Sequence, residues 1–402
     1  MSATPPKVTL ISPPWYPVPP VGYGGIELVV YLLARELRRR GLQVEVLSVS
    51  ESGLQEAVGL APGNYSSHLD GRDERWYDLA YASRVLRWLT ADSQPRIIHD
   101  HTRGVVLAAL ASGPLRLPVL HTVHGAVGAG EAEFYRQVQS GSGLVAISHA
   151  QARTAPDLKW AGVVENAVDV DHLFPGTAKD RDDYLLVLAR ISPEKGQHLA
   201  IEVAARVGLP LVLAGKVDDA THIGRRYYLE RIKPHLDGQK VTHIPNISGW
   251  EKARLLSRAL ALLAPSQWEE PFGLAMAESL ASGTPVVAFP RGAAVDLIQD
   301  GINGLICPDL DSMVARLESV RDLVPERIAA SARERFSPAR MADGYQSLYR
   351  SALAGTALSL WSEMVPPGWP LDHFQLYSAE TDLGPRVPVP SPAGSNGDPT
   401  RS

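Results

Sequence analysis

The sequence predicts an α/β protein made of two doubly wound parallel-sheet domains followed by a disordered tail. Short apolar β-rich runs alternate with amphipathic helical patterns, and this alternation starts afresh after about residue 180. Beyond about residue 380 the chain turns rich in Pro, Gly and Ser, and no periodic pattern continues.

In the first half, strands are expected at Lys7–Ile11, Val44–Val49, Arg96–His99, Val119–Thr122, Leu144–Ile147 and Val163–Glu165. The clearest helix is Glu27–Arg40, in which Val29, Val30, Leu33 and Leu37 fall on one face. In the second half, strands fit Tyr184–Ala189, Leu211–Ala214, Val241–Ile244, Ala261–Ala264 and Val286–Ala288, with a helical pattern after each. Continuous apolar strands of this kind are buried on both faces, as in a parallel sheet covered by helices. The expected division is 1–175 and 176–340, with apolar periodicity lost from Phe174 to Asp180. A helix and return segment follow at 341–378, where Trp361, Trp369, Phe374 and Tyr377 could pack on the surface, and then the tail 379–402.

The 402 residues have an ordinary globular composition, and a formal charge of −5 argues against nucleic acid as a partner. One cysteine, Cys307, excludes a disulfide within the chain and fits a reducing compartment. It follows the apolar pair Leu305-Ile306 with no adjacent histidine, which favours a small buried residue over a nucleophile. The stretch Met1–Lys7 has no signal pattern, and no apolar run approaches the roughly 18–20 residues of a membrane span, so a cytoplasmic setting is expected.

Ligands of doubly wound folds sit at the carboxyl ends of the strands, which directs attention to the loops there. Phe272 and Gly273 open the helix Leu274–Ser282, whose first amides lack intrahelical acceptors and form an anion site. Glu278 lies about one turn in, able to accept bonds from a ribose diol, and Glu270 precedes the helix, placed for the sugar beyond the phosphate. On spacing alone, acidic residues that merely complement the helix dipole would look the same. Arg190 ends a strand and Lys195 follows five residues later, with Ser192 as N-cap and Pro193 at the first helical position. Two cations at a helix head oppose its dipole unless an anion such as diphosphate lies between them. Solvated charges offset by Glu194 are the other reading of that segment.

The run Leu186–Gly196 containing Arg190 and Lys195, Ala264–Ser266, Glu270-Pro-Phe-Gly-Leu-Ala-Met-Ala-Glu278 and Gly283–Val287 together resemble the family-4 retaining glycosyltransferases. Gly301–Ile306 and Asn166–Asp169 match as well, so the resemblance spans about residues 7–350. It implies the GT-B architecture of two facing Rossmann-like domains, a nucleoside-diphosphate sugar as donor substrate, no other cofactor and no metal. Arg190 and Lys195 would neutralise the diphosphate, Glu278 would hold the ribose, and Glu270 with the amides of Phe272, Gly273 and Leu274 would hold sugar hydroxyls and distal phosphate.

In the first half, Gly22-Tyr23-Gly24-Gly25-Ile26-Glu27 is not a dinucleotide fingerprint, because Glu27 replaces the third glycine. Gly24 and Gly25 still expose amides at a helix start, and the resemblance gives them a contact to the diphosphate across the cleft. The segments His99-Asp100-His101 and His121–Gly125 invite a metal reading, yet no ligand set has helical spacing, and structural hydrogen bonding is the expectation. By resemblance His124 lies beside the reacting sugar, polarising it or aiding transition-state charge, while Asp100 or His101 lies near the acceptor. Ser148-His149 is a weaker cleft candidate, and the loop Gly53–Arg75 is expected to shape the acceptor pocket.

The function implied is retaining transfer of a hexose to a small-molecule, glycan or lipid-linked acceptor, by same-face attack rather than double displacement through Glu270. An epimerase or phosphorylase of like architecture, or a non-catalytic sugar-nucleotide binder, are the other classes in view. Arg38-Arg39-Arg40 after an apolar helix face could rest on anionic lipid, or could simply complement the helix dipole.

Overall fold

The computed structural model describes residues 7–61, 74–92, 94, 96–113, 115, 117–139, 141–218 and 221–356. The expected tail and its aromatic residues lie outside the described residues.

The first sheet contains β1 (Lys7–Ile11), β2 (Val44–Val49), β3 (Ala57–Ala61), β4 (Arg96–Asp100), β5 (Val119–Val123), β6 (Ser142–Ala146) and β7 (Trp160–Val163). Its helices are α1 (Gly25–Arg39), α2 (Glu74–Ala91), α3 (Val105–Ser112), α4 (Ala129–Val138) and α5 (His149–Thr154). The second sheet contains β8 (Leu185–Leu188), β9 (Leu211–Ala214), β10 (Val241–Ile244), β11 (Ala261–Ala264), β12 (Val286–Ala288) and β13 (Gly304–Ile306). Around it run α6 (Gln197–Val207), α7 (His222–Tyr227), α8 (Gly249–Arg258), α9 (Leu274–Ala281), α10 (Ala294–Leu297), α11 (Leu310–Arg316) and α12 (Pro325–Arg335). Finally α13 (Pro338–Thr356) closes the described chain.

Both sheets are parallel, in the orders β3-β2-β1-β4-β5-β6-β7 and β10-β9-β8-β11-β12-β13. Each order reverses beside its first strand, between β1 and β4 and between β8 and β11, which places a crevice there. Strand residues alternate between two cores. Leu185 and Val187 join Ala200 and Val203 of α6 on one face. Leu186 joins Met276 and Leu280 of α9 on the other. The same holds for β1, where Leu10 packs with α1 and α13 and Ile11 packs with α2 and α3.

Three strands differ from the expected set. β3 lies inside the stretch read as an acceptor loop, and its Gly-containing AVGLA pairs only with β2 at the sheet edge. β13 has three residues, the first a glycine, and one strand neighbour, so only the pair Leu305-Ile306 marks it in the sequence. β7 begins at Trp160, before the expected Val163, and Gly162 lets Leu348 of α13 sit 3.1 Å from where a side chain would begin. The helix α13 packs back on the first sheet. Arg40 at the end of α1 donates to Asp343, Gln346 and the Ala339 carbonyl at 2.6–2.8 Å.

Candidate functional site

Arg190 and Lys195 leave β8, and Glu270, Phe272 and Gly273 follow β11, so all five lie at the reversal point of the second sheet. The segment Pro193–Lys195 is a single 3₁₀ turn and not the start of the longer helix, with Ser192 at its N-cap position and Pro193 at its start as expected. Ser192 Oγ donates to Glu194 Oε1 at 2.6 Å and caps no amide. The break is at Gly196, whose φ is 70° and whose Cβ, if present, would stand 2.1 Å from the Pro265 carbonyl oxygen. Only glycine meets both demands, and this close passage brings the two loops together. Gln267 N–H then donates to the Glu194 carbonyl at 2.8 Å.

As a result Lys195 Nζ bonds Glu270, and Trp268 Nε1 donates to the same carboxylate at 3.1 Å. Arg190 donates to Glu194 at 3.1 Å, with Asp218 at 3.6 Å. The two cations therefore rest on carboxylates: Arg190 on Glu194, the residue expected to offset it if no anion binds, and Lys195 on Glu270. Both remain part-buried at the crevice mouth. Glu270 does not face solvent to offset the dipole, since Lys195 and Trp268 hold it. Glu269 instead accepts the Gly292 N–H at 2.6 Å. Glu278 is buried one turn into α9, and its Oε1 takes a bond from Lys252 Nζ of α8 at 2.6 Å. Lys252 was not legible as a partner because 26 residues of unrelated pattern separate the two.

Across the crevice, α1 begins at Gly25, where a Cβ would come within 2.9 Å of Leu274 Cδ1. The amino ends of α1 and α9 thus abut, and two positive helix ends share one space. Gly24 has φ 147°, and a Cβ there would meet Pro20 at 2.6 Å. Glu27 closes this first turn; it is fully buried, its Oε1 bonds nothing among the described residues, and burial pushes its pKa to about 8. A further cation, missed in the sequence, joins from β9: Lys216 Nζ donates to Tyr16 Oη at 3.1 Å and lies 4.2 Å from the Tyr23 ring centre. The isolated Gly215-Lys216 dipeptide carried no signal for it.

The histidines form a stack behind the crevice. His99 lies between Tyr349 Oη at 2.7 Å and Thr122 Oγ1 at 2.8 Å. His101 Nδ1 and His124 Nε2 are 2.9 Å apart, and His121 Nδ1 meets Asp100 Oδ2 at 2.8 Å. Asp100 is fully buried, and its other oxygen accepts the Thr102 N–H at 2.9 Å. It is thus engaged inside the fold and not offered to an acceptor, a correction with a plain cause. His101 is likewise buried, whereas His124 stays partly exposed. Burial and His121 push the His124 pKa down to about 3, so the imidazole is neutral near pH 7. A neutral imidazole at this position acts as a dipole.

Ser148 is a bridge rather than a cleft group: its Oγ donates to the Pro271 carbonyl at 2.7 Å and caps α5 through Gln151 N at 2.9 Å. His149 is exposed. The apolar face of α1 is in the core, and Arg38, Arg39 and Arg40 pair with Glu56, Glu36 and both Glu36 and Asp343. That corrects the lipid reading of this helix. Cys307 is buried. Of the expected acceptor loop, residues 62–73 lie outside the described residues. Among the described residues, no helix is long and apolar enough to cross a membrane.

The model of glycosyl transferases group 1 matches residues 170–338, and that of Glycosyltransferase Family 4 matches residues 23–172. The D-inositol 3-phosphate glycosyltransferase of Mycobacterium tuberculosis is 27% identical over 393 residues, covering 82% of this chain and 79% of that protein. AviGT4, a glycosyltransferase involved in Avilamycin A biosynthesis, is 26% identical with a TM-score of 0.65, covering 87% of this chain and 99% of its own. Anabaena HepE, solved in complex with UDP-glucose, shares the fold at 17% identity and a TM-score of 0.64, over 86% of this chain and 99% of its own.

Proposed function

The chain belongs to the family-4 glycosyltransferases of GT-B architecture, and from that premise we propose that it transfers a hexose from a nucleoside-diphosphate sugar with retention and without a metal. One observation carries the proposal: Arg190, Lys195 and the start of α9 meet at one sheet reversal, opposite the start of α1.

In this reading the pyrophosphate lies between the two helix starts, with Arg190 and Lys195 neutralising it. Leaving-group charge develops there, and fixed cations and amides stabilise it without reorganising at the moment of reaction. Glu278, held by Lys252, takes the ribose hydroxyls. Glu270 takes sugar hydroxyls. Its carboxylate is already engaged by Lys195 and Trp268, which supports same-face attack over a covalent glycosyl intermediate on this carboxylate. The departing phosphate oxygen takes the proton of the acceptor hydroxyl as the new glycosidic bond forms. His124, neutral, orients the sugar by hydrogen bonding. The acceptor enters from the first domain and is a small molecule, a glycan or a lipid-linked sugar. The proposed setting is the cytoplasm, in keeping with a lone thiol.

A thermal-shift screen over UDP-, GDP- and ADP-sugars tests the donor, and product analysis with and without acceptor tests the chemistry. One donor is expected to raise the melting temperature, and hexose transfer is expected only with acceptor present. Epimer formed from donor alone, or turnover that requires free phosphate, would overturn the proposal.

A further inference from the structure

His101 occupies an unusual place, being fully buried directly behind the partly exposed His124. The pair shares one hydrogen bond, His101 Nδ1 to His124 Nε2 at 2.9 Å. Each ring then has one nitrogen left. That of His101, Nε2, is sealed from solvent and bonds nothing among the described residues. That of His124, Nδ1, bonds nothing among the described residues but is not sealed.

Both rings are neutral, because burial and the neighbouring histidines lower each pKa. Each therefore carries one N–H, and two arrangements exist. If His124 donated from Nε2, His101 would accept at Nδ1 and carry its own N–H on the sealed Nε2. A buried N–H with no acceptor is rarer in folded proteins than a buried acceptor left without a donor. If His101 donates from Nδ1, only a lone pair faces the sealed side, and His124 keeps its proton on Nδ1, toward the open side. From this we infer that His101 is a positioning residue that locks His124 as the Nδ1–H tautomer, so that His124 presents a hydrogen-bond donor to an oxygen of the transferred sugar.

The surroundings fix His101 for that task. Its backbone N–H donates to the Ile11 carbonyl at 2.9 Å at the end of β1. Its ring centre lies 4.0 Å from that of His99 and 6.3 Å from that of Tyr345 of α13. His99 is itself clamped by Tyr349 and Thr122, and Thr122 Oγ1 lies 2.9 Å from Tyr345 Oη. The helix α13 thus presses on the far side of the stack whose near end is His124.

The role assigned to the donor rests on the glycosyl-transfer reading, whereas the tautomer does not, and the two are tested apart. In ¹⁵N-histidine-labelled protein without substrate, the His124 signals, identified by their loss in His124→Gln, are expected to show a protonated Nδ1 and a bare Nε2. His101→Phe keeps the ring volume without the donor and is expected to move His124 toward the Nε2–H form that free histidine favours in water. In turnover assays the same variant is expected to lower kcat about 10–100-fold with donor KM within about two-fold, as when the group orienting a functional histidine is lost. His101→Asn, whose amide N–H can take the place of Nδ1–H, is expected to restore both tautomer and most of kcat. A proton on Nε2 in the parent protein, or Phe and Asn variants that fold and behave alike, would overturn the inference. Should the tautomer be as stated while no nucleotide sugar is turned over, the transfer reading fails and the tautomer assignment stands.

Discussion

Lys195 illustrates how much one side chain is asked to do. It reaches Glu270 and lies 4.9 Å from the Trp268 ring centre, so its position is set by the loop after β11 rather than by its own turn. If it stabilises developing phosphate charge, Lys195→Ala should lower kcat by about 10²–10³, the scale of losing one preorganised donor. Steady-state kinetics read this directly, and unchanged turnover would remove the electrostatic account. Glu27 makes a different residue-scale claim. Its pKa is raised to about 8 from an ordinary 4.5, so the folded chain holds a proton the unfolded chain has lost between those values. The stability of a buried neutral Glu27 is thus fully present below about pH 4.5 and drains away as pH rises through 8, with a ceiling of about 5 kcal/mol. Glu27→Gln abolishes that proton difference. Its melting temperature relative to the parent should rise between pH 5 and 8 and then level off, whereas a constant offset would contradict the buried neutral acid. Neither residue was legible to this depth: the cations and glutamates stood out by spacing, but which carboxylate each cation meets depends on folding.

At the scale of elements, the strongly periodic pieces were the legible ones. β1, β2, β9, β10, β11 and β12 lie where apolar runs placed them, and α9 starts at the expected Leu274. What escaped were edge strands β3 and β13, whose pairing is one-sided, and the 3₁₀ turn after Ser192, which is dictated by tertiary contact. Gly196 is the hinge of that turn. With φ 70° and the Pro265 carbonyl where a Cβ would go, Gly196→Ala carries both a left-handed backbone penalty of about 1–2 kcal/mol and a clash with backbone that has little room to move. A loss of at least about 2 kcal/mol, roughly 4–8 °C in melting temperature for a domain of this size, is expected. Because the same glycine brings Lys195 to Glu270, donor affinity should fall with it. A variant that is less stable yet binds donor as before would separate the turn from the site.

For the molecule as a whole, the question is what holds the two sheets at a spacing that lets α1 and α9 abut. Several bonds cross between the two halves, and that from Lys216 to Tyr16 is one of them. Asp296 of α10 accepts the Ala150 N–H at 2.5 Å and an Arg153 bond at 2.9 Å, and Ser148 reaches Pro271. Arg335 after the second sheet pairs with Glu165 at 2.5 Å, and α13 then returns to the first sheet. The sequence announced two domains, but these bonds join residues more than a hundred positions apart and had no local signature. Asp296 is the natural place to loosen the assembly, since its carboxylate is partly buried, serves two donors on α5 and touches neither helix start. Asp296→Ala leaves the α5 amide and Arg153 without their acceptor, which favours an open arrangement. Small-angle scattering should then show a larger radius of gyration for the variant, contracting again when saturating nucleotide sugar draws the helix starts together. Since a misplacement of about 1 Å costs roughly 100-fold in rate, kcat/KM should fall by about ten-fold or more while unfolding of each sheet is little changed. Equal radii and equal kcat/KM would mean that α13, the Arg335–Glu165 pair and the Ser148–Pro271 and Lys216–Tyr16 bonds suffice to set the crevice, and that Asp296 serves only the surface of α5.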